Sequence, residues 1–239
     1  MRLKEKAKEV HLRLSRAFGE KLVLSGRSLV LELIHAILSQ NTSRKNYNLA
    51  YERLVERFPT AAEIASADER EIEEAIRPGG LSRQKSAVIK SVLNQLEKID
   101  KNYSIEFLKD LPVDSARAFL TSLGGVGPKT ASVVLMFGAG KKVLPVDTHV
   151  LRTAKRIGLI GANVNTKRAE RELEALFPPR LRPEVHLNLV RLGREICKAR
   201  ATLCEICPVN PCCDWYASSS LSKVHSQSKN WGESFRKFG

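Results

Sequence analysis

The sequence lacks the features of a membrane or exported protein. No run of residues approaches the roughly 18 consecutive apolar side chains that a membrane-spanning helix requires. The first six residues carry an early glutamate and no apolar stretch, so they do not have the pattern of a secretory signal. We therefore expect a cytoplasmic protein without a signal peptide and without membrane contact.

Aromatic residues and widely spaced cysteines are also scarce. Aromatics make up 6% of the chain, so few side chains are available for stacking single-stranded bases. No cysteine precedes Cys197, and all five lie between Cys197 and Cys213. A disulfide scaffold would place cysteines in distant segments. Their clustering therefore indicates a metal or a metal cluster.

The chain is rich in apolar and basic residues. Its 239 residues are 43% hydrophobic, enough for the core of one large domain or two modest ones. Forty lysines and arginines against 26 acidic residues give a formal net charge of +14. Such an excess attracts polyanions, and duplex nucleic acid is the first candidate partner. The alternative is a basic surface that serves solubility alone.

The apolar residues recur at helical spacing along nearly the whole chain. This pattern predicts an all-α fold. Thr60 with Glu63, and Asp68 with Glu71, have the spacing of capping boxes at helix starts. Proline residues 178, 179 and 183 are expected to interrupt the helical pattern. The clearest helices are predicted at residues 82–99, 114–122, 128–137, 146–157, 167–176 and 185–196.

A glycine-rich segment at residues 123–131 joins two of these helices. Gly125 and Gly127 flank Val126 and allow a tight turn with close backbone approach. Pro128 suits the first position of the following helix. A helix–hairpin–helix of this kind leaves N–H groups at a helix N-terminus, where phosphate oxygens bind. We interpret it as a site for the DNA backbone; the alternative is an ordinary turn between helices.

Two residues near this hairpin are candidates for catalysis. Lys129 follows Pro128, and a lysine amine can attack a sugar carbon and form a Schiff base. Asp147 precedes the next helix, and a carboxylate can stabilise positive charge that develops on a sugar. The alternatives are a lysine that only contacts phosphate and an aspartate that only caps its helix.

The cysteines have the spacing of a compact metal site. Cys197, Cys204 and Cys207 are followed by the adjacent pair Cys212 and Cys213. Four thiolates suffice for one [4Fe–4S] cluster or one tetrahedral zinc ion. The spacing alone decides neither the metal nor which of the adjacent pair is the fourth ligand.

Taken together, the motifs resemble one enzyme family. The sequence Gly-Val-Gly-Pro-Lys-Thr-Ala at 125–131 is followed by Val-Asp-Thr-His at 146–149 and by C-x6-C-x2-C-x5-C at 197–213. This order is similar to the endonuclease III family, within the helix–hairpin–helix–GPD superfamily of DNA glycosylases. The resemblance extends from about residue 28 to residue 213.

The resemblance implies roles for individual residues. Lys129 would attack the anomeric carbon of a damaged nucleoside, and Asp147 would assist departure of the base. Gln40 would fill the gap left by the flipped nucleotide, and Leu81 would enter the base stack. The expected DNA-contacting residues are Gln40, Leu81, Gly125, Val126, Gly127 and Thr130. The expected ligands of a structural [4Fe–4S] cluster are Cys197, Cys204, Cys207 and Cys213, with Cys212 as an extra thiol.

The resemblance also implies an architecture of two helical lobes. Residues 22–135 would form the lobe with the hairpin, and residues 1–21 with 136–213 would form the lobe with the cluster loop. The active site would lie in the cleft between them. Residues 214–239 would be a polar C-terminal extension.

The implied activity is that of a bifunctional DNA glycosylase and AP lyase. It would remove damaged, oxidised pyrimidines from double-stranded DNA and cleave 3′ to the abasic site, as a monomer associated with the nucleoid. One alternative is a mismatch-specific uracil or thymine glycosylase of the same superfamily. Another is a non-catalytic DNA-binding module with a zinc site.

Overall fold

The computed structural model describes residues 2–19 and 21–218. Within these ranges the chain is helical and forms no β-strand, apart from an isolated antiparallel bridge between Cys197 and Thr202. The all-α prediction is confirmed. The extension predicted at 214–239 lies outside the described residues from position 219 onward. No helix in the described ranges is long and apolar enough to cross a membrane.

The helices follow one another through short turns. Their bounds are α1 Leu3–Ala17, α2 Leu29–Leu38, α3 Arg44–Arg57, α4 Ala61–Ser66, α5 Glu69–Ile76, α6 Ser82–Glu97, α7 Val113–Ser122, α8 Pro128–Phe137, α9 Thr148–Ile157, α10 Thr166–Leu176 and α11 Arg182–Glu195. Short 3-10 turns lie at Arg77–Gly79, Glu106–Lys109, Pro179–Leu181, Cys204–Ile206 and Asn210–Cys212.

Local sequence signals place several of these helix starts. The hydroxyl of Thr60 accepts a hydrogen bond from the Glu63 N–H at the start of α4. Asp68 forms the predicted capping box at the start of α5. Pro183 was expected to interrupt the helical pattern but does not. It lies in the first turn of α11, where its missing N–H costs no intrahelical bond.

The chain divides into two compact units. One combines the described residues of Met1–Leu22 and Val146–Gly239, and the other is Val23–Pro145. The observed boundary at Pro145 lies beyond the predicted boundary at residue 135. The segment after α8 stays with the second unit because the Lys141 ammonium donates hydrogen bonds to the carbonyls of Lys109 and Leu111.

The unit Val23–Pro145 is built around α2. This helix packs against α3, α6 and α8, and its side chains at Leu33, Ile34 and Ile37 have no exposed surface. Burying each such side chain contributes about 1.5–3 kcal/mol. The Glu106 carboxylate accepts a 2.7 Å hydrogen bond from the Leu29 N–H and so caps the start of α2. Packing against α3, α6 and α8 positions α2, and Gln40 follows its C-terminal end.

The other unit is built around α9 and α11, with α1 against α11. The two helices approach closely at Gly193, where a Cβ would lie 2.8 Å from the His149 Cβ. Lys6 of α1 is buried and donates a 3.0 Å hydrogen bond to the Ile157 carbonyl at the end of α9. The same ammonium contacts the Asp214 carboxylate at 2.5 Å. Lys6 therefore joins the end of α9 to the residue that directly follows Cys213.

Candidate functional site

The predicted hairpin lies between α7 and α8. Gly125 has a φ of +85°, and a Cβ there would lie 2.6 Å from the Val88 side chain on α6. Only glycine combines this backbone conformation with so close an approach. Val126 is buried, and its N–H donates to the Leu123 carbonyl at 3.1 Å. The hairpin is therefore packed directly onto α6.

The N-terminus of α8 presents unpaired backbone donors. Gly127 is the N-cap residue, and Pro128 occupies the first helical position as predicted. The N–H groups of Gly127, Lys129 and Thr130 have no hydrogen-bond partner within the described part of the chain. Donors of this kind at a helix N-terminus suit an anion such as a phosphate oxygen.

Lys129 lies in the first turn of α8. Its side chain is half-buried, so the surrounding residues limit its freedom. Within the described ranges its Nζ has neither a hydrogen-bond acceptor nor a carboxylate partner. A lysine amine without a partner is available for nucleophilic attack.

Asp147 caps α9, as its position in the sequence predicts. Its Oδ1 accepts hydrogen bonds from the N–H groups of His149 and Val150, both at 2.8 Å. Its Oδ2 has no hydrogen-bond partner among the described residues, and the side chain is half-buried. The capping bonds fix the carboxylate and leave one oxygen for other chemistry. Asp147 belongs to the unit that contains α9 and α11, whereas Lys129 belongs to the unit Val23–Pro145.

Gln40 is bonded to the hairpin. Its Nε2 donates hydrogen bonds to the Thr130 Oγ1 at 3.1 Å and to the Gly125 carbonyl at 3.3 Å. Three of the predicted DNA-contacting residues therefore form one hydrogen-bonded group. The next residue, Asn41, is exposed and has a φ of +51°. No sequence motif distinguishes Asn41, although asparagine tolerates a left-handed backbone better than most residues other than glycine.

Leu81 has an unusual backbone for an apolar residue. Its φ is +51°, it follows Gly80 at +67°, and it precedes α6. The side chain is 49% exposed. A left-handed, solvent-exposed leucine costs about 1–3 kcal/mol in strain and is found mainly at functional positions. Its geometry fits a side chain held outward.

One buried lysine lies beneath these two segments. Lys85 is 4% exposed, and its ammonium donates to the Leu38 carbonyl at 2.8 Å and to the Gly79 carbonyl at 3.0 Å. Burial lowers the pKa of Lys85. The sequence indicates only that Lys85 lies shortly after Leu81 in the chain. Its carbonyl partners depend on tertiary structure, so no sequence pattern predicts them.

Four of the five cysteines line one apolar cavity. They are Cys197, Cys204, Cys207 and Cys213. Cys212 is buried elsewhere, and its thiol donates to the Val209 carbonyl at 3.3 Å. In the described residues, no group of three or more histidine, cysteine or acidic side chains is arranged to hold a single metal ion.

The donor set of this cavity suits a cationic cluster. Burial raises the pKa of the Cys207 thiol to about 11 and also raises the pKa of Cys213. Bound metal reverses such a penalty, because it stabilises the thiolate. Arg156 donates to the Cys197 Sγ at 3.4 Å and lies over the Trp215 ring, so a positive charge already faces one thiol. The four lining cysteines therefore fit an iron–sulfur cluster, whereas Cys212 does not.

Comparison with known proteins places the chain in a family. Residues 34–179 match the model of the HhH-GPD superfamily base excision DNA repair proteins. An endonuclease III from Sulfolobus acidocaldarius is 33% identical over 80% of this chain and 83% of its own length. A DNA glycosylase from Arabidopsis thaliana is 34% identical over 73% of this chain, which spans 58% of that relative.

The solved structures agree with the sequence comparison. An endonuclease III trapped as a covalent intermediate with DNA superposes with a TM-score of 0.80 at 27% identity, over 92% of this chain and all of that one. The chain therefore belongs to the HhH-GPD superfamily of base excision DNA repair proteins and, within it, to the endonuclease III family of DNA glycosylases with AP lyase activity.

Proposed function

We propose that this enzyme removes oxidised pyrimidines from double-stranded DNA and that Lys129 is its nucleophile. The observation that carries the proposal is the half-buried Lys129 amine in the first turn of α8, without a partner in the described residues. The covalent DNA intermediate of the related endonuclease III supports a route through an enzyme–DNA bond.

The proposed reaction begins at the sugar. The Lys129 Nζ lone pair forms a bond to C1′ while the C1′–N bond breaks, and the base leaves with that electron pair and takes up a proton from water. Opening of the sugar ring moves a proton from Nζ to O4′ and gives an iminium ion. Loss of a C2′ proton then expels the 3′-phosphate by cleavage of the C3′–O3′ bond. Water hydrolyses the imine and frees the amine.

Asp147 is proposed to assist these steps with the carboxylate oxygen that its helix does not use. A fixed negative charge stabilises the positive charge that develops on the sugar as the base departs. The two capping hydrogen bonds hold the carboxylate before the reaction, so little reorganisation is needed.

The proposed DNA contacts divide by chemistry. The backbone around Gly125, Val126, Gly127 and Thr130 faces phosphate, which positions the enzyme without reading sequence. Gln40 occupies the space left by an extruded nucleotide and Leu81 enters the base stack, and both offset an unstacking cost of a few kcal/mol. Exposure of the strained Leu81 side chain supports this assignment. We propose that the enzyme acts as a monomer on damaged or abasic sites of nucleoid DNA.

We further propose that Cys197, Cys204, Cys207 and Cys213 hold a [4Fe–4S] cluster. Such a cluster supplies a structural cross-link for the loop that contains its ligands. The shared cavity of these four thiols supports the assignment. Arg156 bonds to the backbone carbonyls of Lys198 and Ala199 and so fixes the loop between the first two ligands.

Borohydride trapping on DNA tests the nucleophile. Wild-type protein is expected to become covalently joined to an oligonucleotide duplex that contains an oxidised pyrimidine, whereas Lys129→Ala protein is not, while it still binds the duplex. Lys45→Ala is the matched control, because Lys45 also lies in the first turn of a helix of the same unit, α3. Trapping that persists in Lys129→Ala protein would mean that another amine is the nucleophile.

The same duplexes identify the substrate class. A panel with oxidised pyrimidines, G·U and G·T mispairs and abasic sites, scored by base release and strand nicking, separates the alternatives. Nicking at oxidised pyrimidines supports the proposal. Release confined to the mispairs assigns a mismatch glycosylase, and binding without any base release assigns a non-catalytic module.

A further inference from the structure

Two segments proposed to enter the DNA share an unusual backbone. Asn41, directly after Gln40, and Leu81 both have a φ of +51°, and both are exposed. The third described non-glycine residue with positive φ, Tyr103, is buried. The turn of residues 39–41 and the loop of residues 79–81 are far apart in sequence, yet the same unit contains both. Contacts from another part of this unit must therefore fix the position of one segment relative to the other.

Lys85 joins these two segments. Its ammonium donates one hydrogen bond to the Leu38 carbonyl, at the end of α2, and one to the Gly79 carbonyl, two residues before Leu81. Both acceptors lie at the C-terminal ends of helical turns, where unpaired carbonyls favour a cation. No carboxylate pairs with Lys85 among the described residues. The buried charge is therefore stabilised by these two carbonyls.

Burying an ammonium group costs desolvation free energy, and an apolar side chain of similar volume often gives the fold equal stability. A buried ammonium has an advantage where two backbone positions must be held at a fixed separation. Lysine is suited to this task because its ammonium has three donors and no acceptor. Methionine fills similar space without donating a hydrogen bond.

We propose that Lys85 is a positioning residue for base extrusion, which fixes the Gln40 turn relative to the Leu81 loop. The inference rests on the proposed function of Gln40 and Leu81 as residues that enter the DNA. Lys85 touches neither substrate nor reacting atoms. It acts through the two segments that it joins, and its loss lets them move independently.

The chain offers a matched control on the same helix. Lys90 of α6 also donates two hydrogen bonds to backbone carbonyls, those of Ala65 and Ala67 at the end of α4. Neither acceptor belongs to the Gln40 turn or the Leu81 loop. Lys90→Met therefore removes the same kind of interaction from α6 and leaves the two DNA-entering segments joined.

The experiment compares two contexts of one lesion in single-turnover excision. In the first duplex the lesion is correctly paired and flanked by G·C pairs, and in the second it is mispaired and flanked by A·T pairs. Extrusion is costly in the first and cheap in the second. The ratio of the two rates within one preparation does not depend on the fraction of folded protein.

We expect Lys85→Met to slow excision at the stable site by about tenfold more than at the weak site. Lys90→Met is expected to leave that ratio at the wild-type value even if it lowers stability. An unchanged ratio in Lys85→Met protein would overturn the proposal. If Lys85→Met protein does not fold, the ratio is measured in Lys85→Arg protein, which keeps the charge with a different reach and decides in the same way.

Failure of the proposed function is distinguishable from failure of this inference. A wild-type protein that excises no pyrimidine lesion in either duplex contradicts the proposed function. A wild-type protein that excises in both, together with equal ratios for the two lysine variants, contradicts the role of Lys85 alone.

A 2-aminopurine placed opposite the lesion reports unstacking directly, and its fluorescence gain is expected to be smaller with Lys85→Met than with Lys90→Met.

Discussion

At Asp147 a single carboxylate serves two purposes with different oxygens. Oδ1 accepts the two N–H groups that begin α9, while Oδ2 is left without a partner in the described residues. A helix cap needs only a side-chain acceptor, which asparagine supplies as well as aspartate. Stabilising a cationic sugar needs the negative charge. The two purposes are therefore separable by one substitution.

Asp147→Asn is expected to keep the stability of the protein and its affinity for DNA while slowing base excision. Loss of one preorganised electrostatic group typically lowers the rate by about 10²–10³-fold. Single-turnover excision and thermal unfolding measure the two effects. Asn165→Ala is the matched control, because Asn165 caps α10 by accepting the Arg168 N–H. It is expected to cost about 1 kcal/mol of stability and no activity.

A result in which Asp147→Asn destabilises the fold and leaves the turnover of folded molecules unchanged would make Asp147 a helix cap alone.

The two candidate catalytic residues were identifiable from sequence because each depends on local signals. Lys129 follows a glycine hairpin and a proline, and Asp147 precedes an apolar helical run. Each of the two residues lies at the start of a helix, so the local sequence also predicts the helix terminus that surrounds its side chain.

Other residue-level features depend on contacts that no local pattern contains. Gln40 bonds to Thr130, 90 positions later in the chain, and Lys85 bonds to the Leu38 carbonyl, 47 positions earlier. Such pairs form only when α2, α6 and α8 pack together. Sequence patterns predict that these helices exist but not which backbone carbonyl a buried lysine meets.

At the scale of elements, the sequence predicts the cysteine-rich loop only in part, and tertiary structure decides the rest. The spacing of the cysteines indicates a metal site and leaves Cys212 and Cys213 as equal candidates for the fourth ligand. The 3-10 turn at Asn210–Cys212 separates them, because it directs the Cys212 thiol to the Val209 carbonyl and leaves Cys213 at the cavity. Adjacent residues of a tight turn point in different directions, so only one of them joins the other three.

Cys213→Ser is therefore expected to lose iron, to lose the broad absorption near about 400 nm typical of such clusters, and to lower the yield of folded protein. Cys212→Ser is expected to keep all three, because Cys212 packs as a small buried thiol. Iron per protein, measured for both variants after identical purification, decides between them. Loss of iron in Cys212→Ser with retention in Cys213→Ser would show that the fourth ligand is misassigned. Equal zinc in both, without iron, would replace the cluster by a zinc site.

At the scale of the whole molecule, the net charge of +14 is the property that composition reports directly. Composition does not report which arginines are free to meet DNA. Of the basic residues near the cysteine loop, Arg182 donates to the carbonyls of Phe177 and Glu174. Arg191 pairs with Glu195 and lies over the Phe18 ring. These two arginines serve the fold. Exposed basic side chains nearby are Arg180, Arg194, Lys198 and Arg200.

Affinity for undamaged duplex is expected to fall steeply with salt, since each phosphate contact releases about 0.9 counterion. Arg194→Ala and Arg200→Ala are each expected to reduce the slope of log K against log salt by about 1 if the residue contacts phosphate. The control is Arg57→Ala, because Arg57 already pairs with Glu71 and Glu74. Binding isotherms at several salt concentrations give the slopes. A slope unchanged by both variants would place the footprint on another face, and a salt-independent wild-type affinity would contradict electrostatic recognition of DNA altogether.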